Sequence, residues 1–281
     1  MRSVIHKKRP KVYFGTETCI LLALVITVTP IVWTVILAFM PNKSIINSSF
    51  EFSFWLENFR AITKPGQQFT RQIINSVIIT FGTVLLTLAI GAGSGYSLSK
   101  LKPPKLFTIP TLILASFLPI VPPITLVPGL YVVFTNLNLL GSLTGLILIN
   151  TVFNLPFAIL MIKLYFDQIP EELREAALID GATERRIFLS VLLPLAKPGL
   201  GAVAIYVAIM AWNEFLIGLI LTTGGDSAPL TVGIAGLVQD YQILFGEMSA
   251  AGFVAAIPIV VLTAFVSRQI VTGLTAGAVR S

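Results

Sequence analysis

Residues 167–198 read Asp167-Gln168-Ile169-Pro170-Glu171-Glu172-Leu173-Arg174-Glu175-Ala176-Ala177-Leu178-Ile179-Asp180-Gly181-Ala182-Thr183-Glu184-Arg185-Arg186-Ile187-Phe188-Leu189-Ser190-Val191-Leu192-Leu193-Pro194-Leu195-Ala196-Lys197-Pro198. Elementary helix chemistry predicts two short helices here. Pro170 suits a first helical position, and Glu171 and Glu172 suit the positive end of the helix dipole. Gly181 is placed to stop the helix in a left-handed cap. Thr183 is placed to cap a second helix with an apolar stripe of Ile187, Phe188 and Val191, which Pro194 is expected to end. Leu173, Ala176, Ala177 and Asp180 share a face at three-to-four spacing. That face is small enough for another protein to approach closely. A helix lying on lipid should be basic on its polar side, whereas this one is acidic. Its own subunit or a protein groove is therefore the surface it fits.

On both sides of this segment the chain turns apolar. Hydrophobic residues make up 55% of the 281 and charged residues 11%, against about 25% charged in soluble domains, and mean hydropathy is +0.89. Several apolar runs exceed the roughly 20 residues that cross a bilayer as a helix. Six spans are expected at about 18–40, 73–98, 106–134, 141–164, 198–221 and 247–271. The third holds Pro110, Pro119, Pro122, Pro123 and Pro128 and should be kinked or interrupted, with its freed carbonyls satisfied by protein or by a cavity. With the N-terminus inside, inner segments hold fifteen of the nineteen Lys and Arg and outer segments only Lys43, Arg60, Lys64 and Arg71. The positive-inside rule therefore places both termini in the cytoplasm. The expected organisation is a cytoplasmic segment 1–17 followed by one membrane domain, 18–281, with an inner loop at 165–197. The fold class is an all-α membrane protein of six transmembrane helices. Cys19 to Met40 is too long for a cleaved signal and reads as an uncleaved first span.

Several classes fall away. The formal net charge of +6 is spread in short blocks between apolar runs, which is a topogenic pattern and not a nucleic-acid patch. Cys19 is the single cysteine, so an intrachain disulfide and a cysteine zinc site are excluded, and it reads as an inert packing residue. His6 is the single histidine and sits in the N-terminal tail, so a His-based metal or Ser–His catalytic centre in the membrane is not expected. Gly91-Ala92-Gly93-Ser94-Gly95 lacks the Lys-Ser/Thr ending of a phosphate loop and reads as a close helix contact.

The run Glu175-Ala176-Ala177-x-x-Asp180-Gly181-Ala182, followed by Phe188, Leu193-Pro194-Leu195 and Pro198-Gly199, resembles the EAA loop of binding-protein-dependent ABC importers. Ala211-Trp212-Asn213-Glu214-Phe215 and Gly273-Leu274-x-x-Gly277-Ala278-Val279 make the chain similar, more narrowly, to the smaller permease subunit of maltose-transporter-type systems. The resemblance implies the type I importer permease fold, location in the bacterial cytoplasmic (inner) membrane, and a sugar or sugar-like solute as cargo. It implies a second homologous permease, two ATPase subunits docking on the EAA loop, and an extracytoplasmic solute-binding protein. Glu175, Ala176, Ala177, Asp180, Gly181 and Ala182 would form the coupling contact. The chain has no Walker lysine, so no cofactor is expected on it, and ATP and magnesium belong to the partner ATPases.

Glu214 is the only acidic residue well inside an expected span, at a cost of about 2.5–3.5 kcal/mol on insertion scales if charged at mid-bilayer. With Trp212 and Asn213 it is suited to sugar hydroxyls and C–H faces, or else to a structural interhelical bond. Asn150 and Asn154 share a helical face and suit either cavity lining or helix association. These five are the candidate substrate-pathway residues. In the outer loop, Gly224, Gly225 and Asp226 are candidate contacts for a binding protein, although Leu230, Val232, Ile234 and Leu237 are too apolar for a free loop. The rival reading, an ion-coupled transporter or channel, would need several intramembrane ionisable groups.

Overall fold

The computed structural model describes residues 14–47, 49, 54–64, 66, 68–222, 225–239 and 242–277. Fourteen α-helices form among them: α1 (Phe14–Ala38), α2 (Asn42–Ile46), α3 (Glu57–Ile62), α4 (Phe69–Tyr96), α5 (Lys105–Phe117), α6 (Pro123–Asn136), α7 (Leu143–Asp167), α8 (Glu172–Ile179), α9 (Glu184–Ile187), α10 (Leu193–Leu195), α11 (Lys197–Trp212), α12 (Leu216–Thr222), α13 (Leu230–Ala235) and α14 (Phe245–Gly277). Four of the helical stretches are long and apolar enough to cross a membrane, and two bent pairs raise the number to six if each pair is one span. Most of the expected cytoplasmic segment 1–17, together with Gly224, Ala278 and Val279, lies outside the described residues.

Two compact units divide the chain, residues up to 62 with 243–253, and residues 63–242 with 254 onward. In the first, α1 presents Ile20, Ile26 and Ile31 at 61–72% exposure, a surface that suits hydrocarbon. Its Thr27, Thr29 and Thr34 hydroxyls donate to carbonyls one turn back, which satisfies them without water. Cys19 is exposed on this helix and not packed in a core, because α1 has no buried face of its own there. The buried Asn58 amide donates to Ala38 and Met40 carbonyls at 3.0 and 2.8 Å. Phe39 stacks on Phe54 and tilts against Phe59 nearby.

In the second unit, α4 and α7 form the central pair and run in the same direction. A Cβ on Gly82 would sit 2.7 Å from Ile147 Cδ1, and one on Gly95 would sit 2.7 Å from Ile162 Cγ2 and 3.1 Å from the Lys163 nitrogen. Two parallel neighbours require the chain between them to return across the layer, and α5 and α6 do so. They meet at 110° around the 3₁₀ turn Leu118–Ile120. The break is at the expected prolines: Val121 and Pro122, each preceding a proline, are extended, as the Cδ clash demands. Helix α11 then runs back against α7, with Tyr206 beside Phe157 and Gly199 beside Tyr165. The 100–105 and 165–197 segments thus share one side, and the starts of α4 and α7 share the other with the end of α11.

Three expectations change. The fifth span is not one continuous helix over 198–221. It stops at Trp212 and resumes at Leu216, because the Glu214 carboxylate takes over the N–H groups that begin the new helix. Pro170 lies outside α8, which starts at Glu172, and Pro194 does not end a helix. A π-helical stretch, Phe188–Leu192, runs into α10, where proline occupies the first turn and its missing N–H costs nothing. The actual break is the 76° bend between Leu195 and Lys197.

Candidate functional site

Helix α8 ends as its sequence demands. Gly181 has φ +80°, a left-handed conformation that a Cβ disfavours. The Gly181 N–H donates to Leu178 O at 3.0 Å and the Ala182 N–H to Ala177 O at 2.9 Å, the two bonds of a Schellman cap. The Thr183 hydroxyl then accepts from Arg186 N and opens α9. The outward stripe is Glu172, Glu175, Ala176 and Ile179, all exposed, with spacing i, i+3, i+4, i+7. Asp180 and Gly181 are exposed beside it. Ala177 and Ala182 are not on this surface. They pack against the core of Tyr96, Ile162, Phe166, Ile187 and Leu192, because the cap folds the chain back over the C-terminal ends of α4 and α7. Ile179, 87% exposed, was missed in sequence. Its signal was an apolar residue placed two before the capping glycine.

Charged groups brace this turn. Arg174 bonds the Glu184 carboxylate and reaches Glu171 Oε1 at 3.0 Å, and Tyr96 Oη donates to Glu184 at 2.5 Å. The Arg174 guanidinium holds the Glu184 carboxyl below the usual carboxylate range, helped by Tyr96 and opposed by partial burial. Burial pushes the Glu171 carboxyl up, but hydrogen bonds from Lys100 and Arg174 outweigh it and leave it low. Tyr96 ends α4 and Lys100 lies in the π-helical stretch Ser97–Leu101 that continues it, so the charge pattern of residues 167–198 alone did not reveal these two partners.

A cavity of about 440 Å³ lies against the middle of α7, the second half of α11 and the bend between α5 and α6, lined by Leu118, Pro119, Asn150, Phe153, Asn154, Phe157, Tyr206, Met210, Asn213 and Glu214 among others. The structure brings together four of the five sequence candidates there. Asn150 and Asn154 each donate one N–H to a carbonyl of their own helix, Leu146 O and Asn150 O, and keep a second N–H and an oxygen for the cavity. Asn213 likewise bonds Ile209 O. Trp212 does not line the cavity. It is buried, and its indole N–H donates to Ala255 O at 3.1 Å. Adjacent helical residues diverge by about 100°, so Trp212 and Asn213 face different ways. Glu214 accepts from Ile217 N at 2.7 Å and Gly218 N at 2.9 Å, a local cap on the start of α12 and not the interhelical bond weighed for it. Phe153, Phe157 and Tyr206 were not singled out, since apolar rings in a span carry no distinguishing signal.

The loop after α12 is pinned. Asn75 donates to Asp226 O and Ala228 O, Ser76 Oγ accepts from Leu230 N, and Asp226 pairs with Arg71 at 2.6 Å. Gly225 and Asp226 remain exposed, while Leu230 and Val232 are buried.

Residues 86–275 match the family described as binding-protein-dependent transport system inner membrane component. The trehalose/maltose transport system permease protein MalG of Thermococcus litoralis is 31% identical over 92% of this chain and 94% of its own length. The trehalose transport system permease protein SugB of Mycobacterium tuberculosis is 34% identical over 89% and 92%. Among solved structures, a bacterial ABC transporter involved in the import of the acidic polysaccharide alginate superposes with TM-score 0.74 at 20% identity, covering 91% of this chain and 95% of that one. The bacterial alginate transporter in complex with alginate pentasaccharide-bound periplasmic protein gives 0.60 at 18% identity over 91% and 96%.

Proposed function

Because the chain belongs to the binding-protein-dependent transport system inner membrane component family, we propose that it is the non-catalytic permease of an ATP-driven importer for an uncharged sugar or glycoside. It is a multi-pass protein of the inner membrane. The observation that carries the mechanism is the outward stripe of α8, with Ile179 standing 87% exposed beside the Gly181 cap. An exposed isoleucine on a short, acidic, internally braced helix fits a protein cleft. In this reading the cleft belongs to an ATPase subunit holding ATP and magnesium, and two such subunits drive this chain and a second permease between inward-open and outward-open states. The Lys and Arg distribution supports a cytoplasmic position for α8 and both termini. Exposed Gly225 and Asp226 then meet an extracytoplasmic solute-binding protein.

The cavity near Asn150 and Asn154 supports the cargo class. Rings of Phe153, Phe157 and Tyr206 suit sugar C–H faces, and the amides of Asn150, Asn154 and Asn213 suit hydroxyls. No Lys or Arg lines it, and its one carboxylate, Glu214, is occupied by backbone N–H groups. An acidic sugar would find no cation there. One carboxylate in the lining, held as a helix cap, falls short of the several ionisable groups that an ion-coupled mechanism uses.

The test is uptake of labelled trehalose into proteoliposomes. Uptake is expected only with both permeases, the ATPases, the binding protein and internal ATP. Uptake by this chain alone, without ATP, would overturn the proposal.

A further inference from the structure

Five side chains form a closed polar ring between α8, α9 and the inner end of α4. Tyr96 Oη donates to Glu184 Oε2 at 2.5 Å. Glu184 receives Nε and Nη2 of Arg174. Arg174 Nη1 donates to Glu171 Oε1 at 3.0 Å. The other Glu171 oxygen lies 3.2 Å from Lys100 Nζ, and Lys100, four residues after Tyr96, returns the ring to the helix where it began. Lys100 also donates to Ile169 O at 2.7 Å, and its side chain is only 5% exposed. Two cations meet two anions, so the ring is neutral, and the buried Lys100 ammonium and the part-buried Arg174 guanidinium each have carboxylate partners, the condition under which such a network rigidifies its surroundings. Behind it the Tyr96 ring packs on Phe188 at 4.9 Å and Phe166 at 5.7 Å, and Ile187 and Leu192 are fully buried.

A hinged lever would need few ties between α8 and the bundle. The ring supplies the opposite. We propose that Glu171 and Glu184 are positioning residues that clamp α8 to the inner end of α4, so that a push on α8 turns α4 as one body with it instead of flexing residues 168–183. Glu184 is the keystone, since it alone bonds both the α4 tyrosine and the α8 arginine. The proposal rests on the importer reading for the origin of the push.

Spin labels at Leu178→Cys and Leu101→Cys, both exposed and off the outward stripe, in a Cys19→Ser background, test it in the complete transporter in nanodiscs. The distance between them is measured nucleotide-free and vanadate-trapped. One narrow distance, equal in the two states, is expected for the unaltered ring. Glu184→Gln should broaden it, and so should Tyr96→Phe, which removes one hydroxyl and leaves the ring packing intact. Uptake per ATP hydrolysed should fall about threefold to tenfold in both. If Glu184→Gln fails to assemble, Tyr96→Phe decides. A distance that changes by several ångströms between states with the ring intact, or an unbroadened distance in the assembled variants, overturns the clamp. A transporter without ATP-dependent uptake overturns the importer reading instead, whatever the distances show.

Discussion

Asn75 and Ala228, 153 positions apart in the chain, are joined by an Nδ2–H donated to the Ala228 carbonyl at 3.0 Å. The same amide reaches the Asp226 carbonyl at 2.8 Å, so one side chain in the first turns of α4 holds both ends of a tight outer turn. That turn carries the exposed Asp226. The loop is therefore a presented surface on a fixed base. Asn75→Ala leaves two carbonyls without their donor, a loss of about 1–3 kcal/mol. Amide exchange across 225–231 should accelerate about tenfold or more, and unchanged exchange would show that the loop is held by burial alone.

Glu214 acts as a cap, so its shape and acceptors matter more than any role in cargo binding. Glu214→Ala should cost about 0.5–2 kcal/mol and speed exchange of the α12 amides. Glu214→Gln keeps one acceptor and should leave the uptake KM within about threefold. A KM rise much larger than this in Glu214→Gln alone would return the residue to the substrate path.

The contact between α4 and α7 leaves no room at Gly95. Gly95→Ala places a methyl 2.7 Å from Ile162 Cγ2 and 3.1 Å from the Lys163 nitrogen. Overpacking of this kind costs about 1–3 kcal/mol. Melting of the purified protein in detergent should fall for Gly95→Ala and recover partly in the double variant with Ile162→Ala, since the two changes share one space. Simple additivity would contradict the close approach.

Coupling should fail without loss of insertion when the outward surface of α8 is altered. Ile179→Asp changes a side chain that is 87% exposed, and Glu175→Lys reverses a charge on the same stripe. Neither should disturb folding. Gly181→Ala adds about 1–2 kcal/mol of left-handed strain, and Gly181→Pro removes the Schellman cap altogether. Membrane levels should stay near normal for Ile179→Asp and Glu175→Lys, while stimulated ATPase and uptake separate. Normal coupling in both would remove α8 from the drive.

Acid should loosen the ring. Glu184 and Glu171 have folded-state values held below those of free carboxyls, so their contribution is complete above the ordinary value of about 4.3 and disappears as pH falls through the lower folded values. The stability of the unaltered protein over Glu184→Gln should be constant from pH 8 to about 5 and shrink below it. A difference that grows toward acid pH would have the wrong sign.

Much of the candidate surface was legible because it is local. Gly181, Thr183 and the acidic first turn of α8 act within four residues of themselves, and each does what its chemistry predicts. The proline break in the third span was legible for the same reason, since Pro122 and Pro123 constrain their own neighbours. The cavity was only half legible. Asn150 and Asn154 stood out as amides in an apolar run, but Trp212 beside Asn213 did not betray that it faces Ala255. Neighbours in sequence point apart on a helix, and only the partner helix decides which of them meets the cavity.

By itself the sequence determined a membrane-embedded helical chain, the places where it must break, and the capped turn that carries α8, because hydropathy, proline geometry and left-handed glycine are properties of short stretches. Tertiary structure decided that α4 and α7 run in parallel and that Ala177 and Ala182 face inward. It also decided that Tyr96 and Lys100 close a ring around Arg174. Those outcomes depend on side chains tens of residues apart meeting in low dielectric, where each buried donor and charge must find a partner, and no local pattern records which partner it finds.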